Sequence, residues 1–561
     1  QILKQPKWLS KNKQFNTMKL LYLFCCCFAI IAVEAQTVGL IEHQTGTLDD
    51  GYVLFAPNTS NTTYLIDKCG KAVQSWNSTY KPGQAVYLLD DGTLLRTGNA
   101  NNTTFNAGGK GGVIEKMDWN GNVIWSYTIS DATKCQHHDA KILPNGNVLV
   151  IAWEKKTNTE AIAIGRNPSL VPAVLWSEQI LEIQPTGATT GTVVWEWHLT
   201  DHLVQDYDAT KPNYNTIATN PHLVNINYNA SATNSDWIHL NSIDYNPQLD
   251  QILVSNHNFD EIWIIDHSTT TSQSASHTGG NSGKGGDLLY RWGNPMAYNT
   301  GTTAQFFGQH NARWIENGLP FENQIMVFNN GLGRTGGNYS TVDIINPPVV
   351  GYQYDAALPY LPASTSWTYN SGNPNNFYAM NISGAQPLSN GNILICNGPA
   401  GIFTEIDNSG TTLWKYVNPV NASGVIAQNA TPTQNSVFRC TFYPSDFIGF
   451  AGHTLSSGTI IESSNAVSSS CNLTLSNDTF LSDEIKVFPN PATDFIQIQY
   501  SQNANNLKVD FLDIPGKVIS CEVVVKDDNT ININTSRITE GLYFIRITDR
   551  NRMKTFKVKI N

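Results

Sequence analysis

At 561 residues the chain is too long for one hydrophobic core, since single cores stop growing near ~250–300 residues, so more than one domain is expected. Charged residues make up only 14% of it, and a net charge of −11 without a Lys/Arg cluster excludes a nucleic-acid partner, which needs concentrated cations. Asn, Thr, Ser and Gly are abundant, which suits short strands joined by polar turns and argues against helices rich in Glu, Lys and Ala.

In chain order, Lys19 precedes an apolar run over 20–33, and the small residues of Val33-Glu34-Ala35 follow it, the pattern of a secretory signal peptide. The run is too short to span a bilayer comfortably, at about 14 residues. The reading is therefore upstream unstructured sequence over 1–17, a signal peptide over 18–35 and a mature chain from Gln36. Cys25, Cys26 and Cys27 leave with the signal. Cys69, Cys135, Cys396, Cys440, Cys471 and Cys521 remain, and none shows zinc spacing. Export permits disulfides, but their pairing stays open at this level.

Two patterns recur after residue 36. One is a hairpin with an Asn-Gly or Asp-Gly turn between apolar strands, at 88–95, 142–150 and 387–395, with longer variants at 243–254 and 314–328. The other is a strand, a Gly-containing turn and a closing Trp, at 65–76, 116–127 and 405–416. At least five copies of one four-stranded unit follow, and a six-bladed β-propeller over 36–465 fits the length at roughly 70 residues per unit. A stacked sandwich is the runner-up, but leaves the repeated turn and Trp motifs unexplained. A Ser/Asn-rich stretch over 466–484 reads as a linker. Alternating strands over 485–561 predict a small immunoglobulin-like β-sandwich, so the fold class is all-β throughout.

A histidine taken singly is more often structural or solvated than catalytic. Stepping back seven residues from the turn Asn of each hairpin reaches His138, His239 and His310, with Gln84 and Ser383 in the other two copies. Equivalent positions of a propeller form a ring, so these imidazoles are expected to converge on its axis, with His137, Asp139, Asn241, Gln309 and Asn311 beside them. The returning strands place His257 and Asn330 level with Asn99, Trp153 and Gly398. Several imidazoles and amides accept charge from an anion and move protons near neutral pH. Imidazole is also a common transition-metal ligand, but no carboxylate stands at a matching register, so anion chemistry is ranked above a metal site. Trp153, Phe306 and Phe307 are candidates to stack on an aryl ring, with blade packing the more probable role for each.

The segments QHHDAKILPNGNVLV, WIHLNSIDYNPQLDQILVSNHNFDEIWIID, GDLLYRWGNP and FFGQHNARWIENGLPFENQIMVFNNG together resemble the arylsulfate sulfotransferases. That resemblance implies a six-bladed propeller that moves a sulfuryl group from a phenolic sulfate ester to a phenol acceptor, with no nucleotide donor and no cofactor. It gives His310 the nucleophile's role and places His138 and His239 on the sulfuryl oxygens as further catalytic residues. His137, Asn241, His257 and Asn330 then bind substrate, and no metal is required. The family pattern carries an arginine where this chain has His257, whose protonated imidazole would stand in for that cation without the guanidinium fork. The opening FPNPA, the central Gly-Lys pair, EGLYFIRI and the basic KVKIN ending of 485–561 are similar to a type IX secretion-system sorting domain. This implies the secretion machinery as a partner and a secreted or outer-surface location reached through the periplasm. Two other classes compete: a non-catalytic surface propeller that binds glycan or protein, and a quinone-cofactor dehydrogenase, for which no acidic calcium ligands are seen at the axis.

Overall fold

The hairpin glycines set the first rule of this fold. Gly92, Gly146 and Gly391 have φ of +77°, +84° and +89°, a region closed to most side chains, and each closes the same tight turn. In each turn the glycine N–H donates back to a leucine carbonyl, Leu89, Leu143 or Leu388, at 2.9–3.0 Å. The computed structural model describes residues 36–355, 357–373, 376–462, 471, 485–500, 507–513, 518–527, 529–549 and 552–561. The upstream residues 1–17 and the signal peptide of 18–35 lie outside the described residues, as does all of the 466–484 linker except Cys471. The chain divides into two compact units between Ala466 and Val467.

Among the described residues the first unit holds six antiparallel sheets of four or five strands, besides three two-stranded pairs in loops. Counting from the axis outward, the second sheet runs Pro82–Leu88, Leu94–Asn99, Gly112–Met117 and Val123–Thr128. The third runs Lys134–Ile142, Val148–Thr157, Val174–Gly187 and Thr190–His198, and the fourth Leu240–Asn246, Gln251–Asn256, Glu261–Asp266 and Tyr290–Trp292. The fifth begins at His310–Trp314 and the sixth at Gly384–Pro387. The first sheet is composite: Val437–Pro444 lies innermost and pairs with Gly51–Pro57, so both ends of the unit build it. The six first strands touch in a closed circuit, each meeting the next, and Val437–Pro444 meets both Pro82–Leu88 and Gly384–Pro387.

The closing tryptophans lock sheet to sheet. Trp76 of the first sheet donates its indole N–H to the Asp118 carbonyl of the second at 3.1 Å. Trp125 of the second reaches Thr190 of the third at 3.1 Å, and Trp414 of the sixth reaches Lys68 of the first at 2.7 Å. All three rings are buried, so each supplies a large apolar face together with a satisfied donor. Truncating one to alanine is expected to cost about 3–5 kcal/mol.

The second unit consists of two sheets. One orders Ile485–Phe488, Phe495–Tyr500, Thr530–Asn534 and Val523–Asp527; the other orders Lys508–Leu512, Gly541–Asp549 and Arg552–Ile560. Alternate residues Ile496, Ile498, Ile531 and Ile533 of the first sheet share one buried cluster with Phe511, Ile545, Ile547 and Val558 of the second. The period-two pattern of the sequence thus becomes an apolar layer between two sheets.

Candidate active site

The first strands do not start as regular β-structure. Gln84, His138, His239 and Ser383 have φ of +109°, +50°, +60° and +86°, and the ladders beside Gln84, His138 and His239 slip register. A non-glycine residue held at positive φ costs roughly 1–2 kcal/mol, and the bulge re-aims the side chain beside it. In the fifth sheet the left-handed residue is Asn311, at +52°, so His310 enters one position earlier than the hairpin count places it. The ladder there slips by one residue between His310 and Arg313, against two between Gln136 and Ala140 of the third sheet.

These distortions bring four imidazoles together. Ring centroids lie 4.6 Å apart for His138 and His239, 5.3 Å for His239 and His257, and 5.4 Å for His257 and His310. Loop backbone packs directly over two of them. A Cβ on Gly109 would stand 2.0 Å from His138 Nε2, and one on Gly308 would stand 3.0 Å from His257 Nε2. Both glycines also have positive φ, so neither position accepts a side chain readily. His138 and His310 are buried, whereas the His239 side chain keeps 16% of its surface open.

Each imidazole is held by a different partner. Asn330 donates its amide N–H groups to the Ala379 and Ile382 carbonyls, at 2.8 and 3.0 Å, which turns its Oδ1 toward His310 Nδ1 at 2.8 Å. His310 therefore carries its proton on Nδ1 and presents a bare Nε2, which accepts the Ile382 N–H at 3.2 Å. Burial, then the neighbouring His257, pushes its pKa well below the ordinary value, so the lone pair stays available at neutral pH. His257 is pushed down to about 4 by burial and by His239. The cation expected at His257 is thus absent near neutral pH.

His239 is instead biased toward the charged form. Burial opposes its protonation, but the Asp236 carboxylate, 2.5 Å from Nδ1, outweighs this and raises its pKa. Asp236 is fixed in turn by the Trp153 indole N–H at 3.0 Å. His137 is completely buried behind the cluster, stacked on Trp153 with ring centroids 4.0 Å apart. Its Nδ1 lies 2.9 Å from His138 Nδ1 and its Nε2 lies 2.8 Å from Glu178 Oε2. Burial raises the Glu178 carboxyl well above its usual range and lowers His137 to about 3. His137 consequently reaches the cluster only through His138.

Asn241 is also buried; its amide donates to the Gln309 carbonyl at 2.7 Å, while its Oδ1 has no partner among the described residues. Trp153 and Phe306 are fully buried packing residues, and Phe307 lies under the Arg334 guanidinium, 5.1 Å from its ring centre.

Hairpin phasing named Asp139 beside His138 but did not reach two further carboxylates or one cation. Glu178 pairs across the ladder from Trp153, Asp236 lies three residues before His239, and Asp139 follows His138. No carboxylate was expected at a matching register, and Glu178 and Asp236 stand off that register, behind the ring beside His137 and His239. Arg439, on the closing strand, donates to Asp139 Oδ2 at 2.9 Å and to Tyr87 OH at 2.8 Å. Its Nε is buried without a partner among the described residues, and its charge is felt at His310. Arg439 and Tyr87 also border a cavity of about 860 Å³ at the opposite, hairpin-turn end of the first strands. That wider space holds none of the four histidines.

Six sheets whose first strands close a circuit around a histidine cluster define an all-β domain, and comparison supplies the family. The family described as arylsulfotransferase (ASST) matches residues 37–442, and the chain belongs to it. Residues 486–561 match the secretion system C-terminal sorting domain, which directs the protein to the outer cell surface or beyond. Membership assigns sulfotransferase activity and small-molecule substrates at family level, and the tail assigns the secretion machinery as partner. No curated protein matches. Among solved structures, a Bacteroides caccae protein of unknown function is 13% identical with a TM-score of 0.38, covering 70% of this chain and 98% of its own. The virginiamycin B lyase of Staphylococcus aureus, complexed with quinupristin in an inactive form, is 12% identical with a TM-score of 0.32, covering 68% and 89%. The Cps50 (Swd1) β-propeller domain of Myceliophteria thermophila is 8% identical with a TM-score of 0.34, covering 68% and 87%. Likenesses this loose say nothing about chemistry.

Proposed function

We propose that residues 36–465 form a six-bladed β-propeller that transfers a sulfuryl group from a phenolic sulfate ester to a phenol through a sulfo-histidine at His310. The observation that carries this reading is the Asn330 amide, whose two carbonyl acceptors fix the His310 tautomer and leave Nε2 as a neutral nucleophile. Nε2 attacks sulfur, the ester S–O bond breaks, and the pair left on the phenolate oxygen takes the proton of cationic His239. The sulfonated ring keeps its Nδ1–H on Asn330. In the second half the acceptor phenol gives its proton back to His239 as its oxygen attacks, and the S–N pair returns to Nε2.

Charge on the sulfuryl oxygens is the other requirement. Protonated Glu178 donates to His137, His137 donates to His138, and His138 Nε2–H is then a neutral donor. Once substrate displaces the Ile382 N–H from His310, that donor also serves a sulfuryl oxygen. His257 contributes a neutral imidazole wall, Asn241 an unpartnered carbonyl oxygen, and His137 and Asn330 act through the histidines they hold.

Residues 485–561 are read as an immunoglobulin-like sandwich joined by the 466–484 linker, with export through the periplasm after loss of residues 18–35. The test is incubation of the purified protein with a chromogenic aryl sulfate and a phenol, comparing wild type with His310→Asn. Ping-pong kinetics and an acid-labile sulfo-peptide containing residue 310 are expected. Turnover retained by the variant would falsify the mechanism.

A further inference from the structure

A second group of histidines lies in two insertions, one between the third and fourth sheets and one between the last two strands of the fourth. His202 follows the short helical turn Leu199–Asp201, His222 and His277 come from separate loops, and Asp287 closes a glycine-rich segment leading into the fourth sheet. His202 Nδ1 and His277 Nδ1 lie 2.9 and 2.7 Å from the same oxygen, Asp287 Oδ1, and His222 Nε2 lies 3.8 Å from Oδ2. The ligating atoms of His202, His277 and Asp287 fall within 4.8 Å of one another.

The tautomer of His202 gives the cluster its meaning. Its ring is fully buried, stacked at 3° on Trp197, and its Nε2 lies 2.8 Å from the Ser274 carbonyl oxygen. A carbonyl only accepts, so the neutral ring carries its proton on Nε2 and turns the Nδ1 lone pair toward a carboxylate oxygen. Two acceptors face each other at 2.9 Å, an arrangement that requires a cation between them or an extra proton. A histidine that gives its second N–H to a backbone carbonyl is also the usual outer-shell support of a metal ligand.

The loop geometry preserves this arrangement. A Cβ on Gly286 would meet Ser274 O at 1.9 Å and His202 Nε2 at 2.6 Å, while the Gly286 carbonyl accepts the Trp197 indole N–H at 2.7 Å. On the outer side the His277 side chain is 59% exposed and that of His222 36%, which leaves a path for an ion from solvent.

We infer that His202, His222, His277 and Asp287 form a zinc site that staples the insertions to the edge of the third sheet, independent of sulfuryl transfer. Three imidazole nitrogens and one carboxylate oxygen match tetrahedral zinc, whose ligands sit at about 2.0–2.2 Å. His222 Nε2 is the furthest from the shared carboxylate, at 3.8 Å, so binding requires its ring and the exposed His277 ring to rotate inward.

The test uses the untagged mature protein, stripped with chelator and titrated with zinc chloride, read by plasma mass spectrometry and thermal unfolding. One zinc per chain and a zinc-dependent rise of several degrees in Tm are expected, because the folded state alone holds the four ligands. His277→Ala, at an exposed position that folding does not need, lowers zinc affinity at least tenfold, and Asp287→Asn does the same. Absence of zinc uptake by the stripped protein overturns the inference. Unchanged zinc affinity in both variants overturns it too, as does a Tm that responds to pH and not to zinc, which identifies a protonated pair.

Discussion

The two histidine clusters place their carboxylates differently. At the axis, Asp236 and Glu178 stand behind the imidazoles, and the rings meet edge to face. In the insertions, Asp287 stands among the histidines as a common partner. A carboxylate behind a histidine sets its proton and leaves the other nitrogen for a substrate; one among histidines completes a shell of donors. The same residue types thus make a reaction centre or a staple, according to the side from which the acid approaches.

The largest effect that would break this contrast is a swap of phenotypes. His310→Asn is expected to lower kcat by at least ~1000-fold with zinc content and Tm unchanged, measured by steady-state turnover and metal analysis. His277→Ala is expected to do the reverse. If either variant changes both readouts, the clusters are coupled and the contrast fails.

Next comes the charge on His239. Asp236 raises the His239 pKa, so His239 keeps its proton to a higher pH than a free imidazole, and activity falls as pH rises through that raised value. Asp236→Asn is expected to cost ~10–100-fold in kcat/KM and to shift the alkaline limb of the pH–rate profile to lower pH. A limb that stays in place assigns it to another group.

Asn330→Ala frees the His310 tautomer, and a loss of ~10-fold in kcat with little change in KM is expected. Rescue by Asn330→Gln would sharpen the assignment, and an equal rise in KM would mark Asn330 as a substrate contact.

The smallest effect concerns a histidine at neither cluster. His267 bridges Asp250 at 2.7 Å and Glu182 at 3.1 Å, and these carboxylates outweigh burial to raise its pKa to about 9. A raised folded pKa gives stability that is complete below the unfolded value near ~6.5 and is lost as pH rises through about 9. Discounted for the half-open Asp250 side, His267→Gln is expected to cost ~1 kcal/mol in chemical denaturation at pH 6 and nothing near pH 10.

The axis was legible because repetition converts sequence phase into position. Turns at 91, 145, 246, 317 and 390 were enough to bring His138, His239 and His310 to one end of the first strands, and the sorting tail carried its own motifs. That the left-handed residue of the fifth sheet is Asn311 and not His310 has no signature in turn spacing. Glu178 reaches the site through cross-strand pairing with Trp153, two strands out from the axis, where no hairpin motif points. The neutral state of His257 depends on burial, which spacing does not report. Arg439 was hidden because its strand has no hairpin partner next in sequence; Gly51–Pro57 lies almost the whole unit away. The insertion cluster has no repeat at all, and its residues are brought together by glycine-rich loops of irregular path.

That last pairing has a temporal meaning. Arg439, which ties Asp139 of the third sheet and the Asn241 carbonyl of the fourth to the closing strand, is among the final residues of the unit to be made, and its strand finds its partner only near the unit's beginning. A chain that has not yet reached this strand has not closed the circuit of first strands. On the proposed mechanism, the site is complete only once the last strand of the unit has paired with Gly51–Pro57.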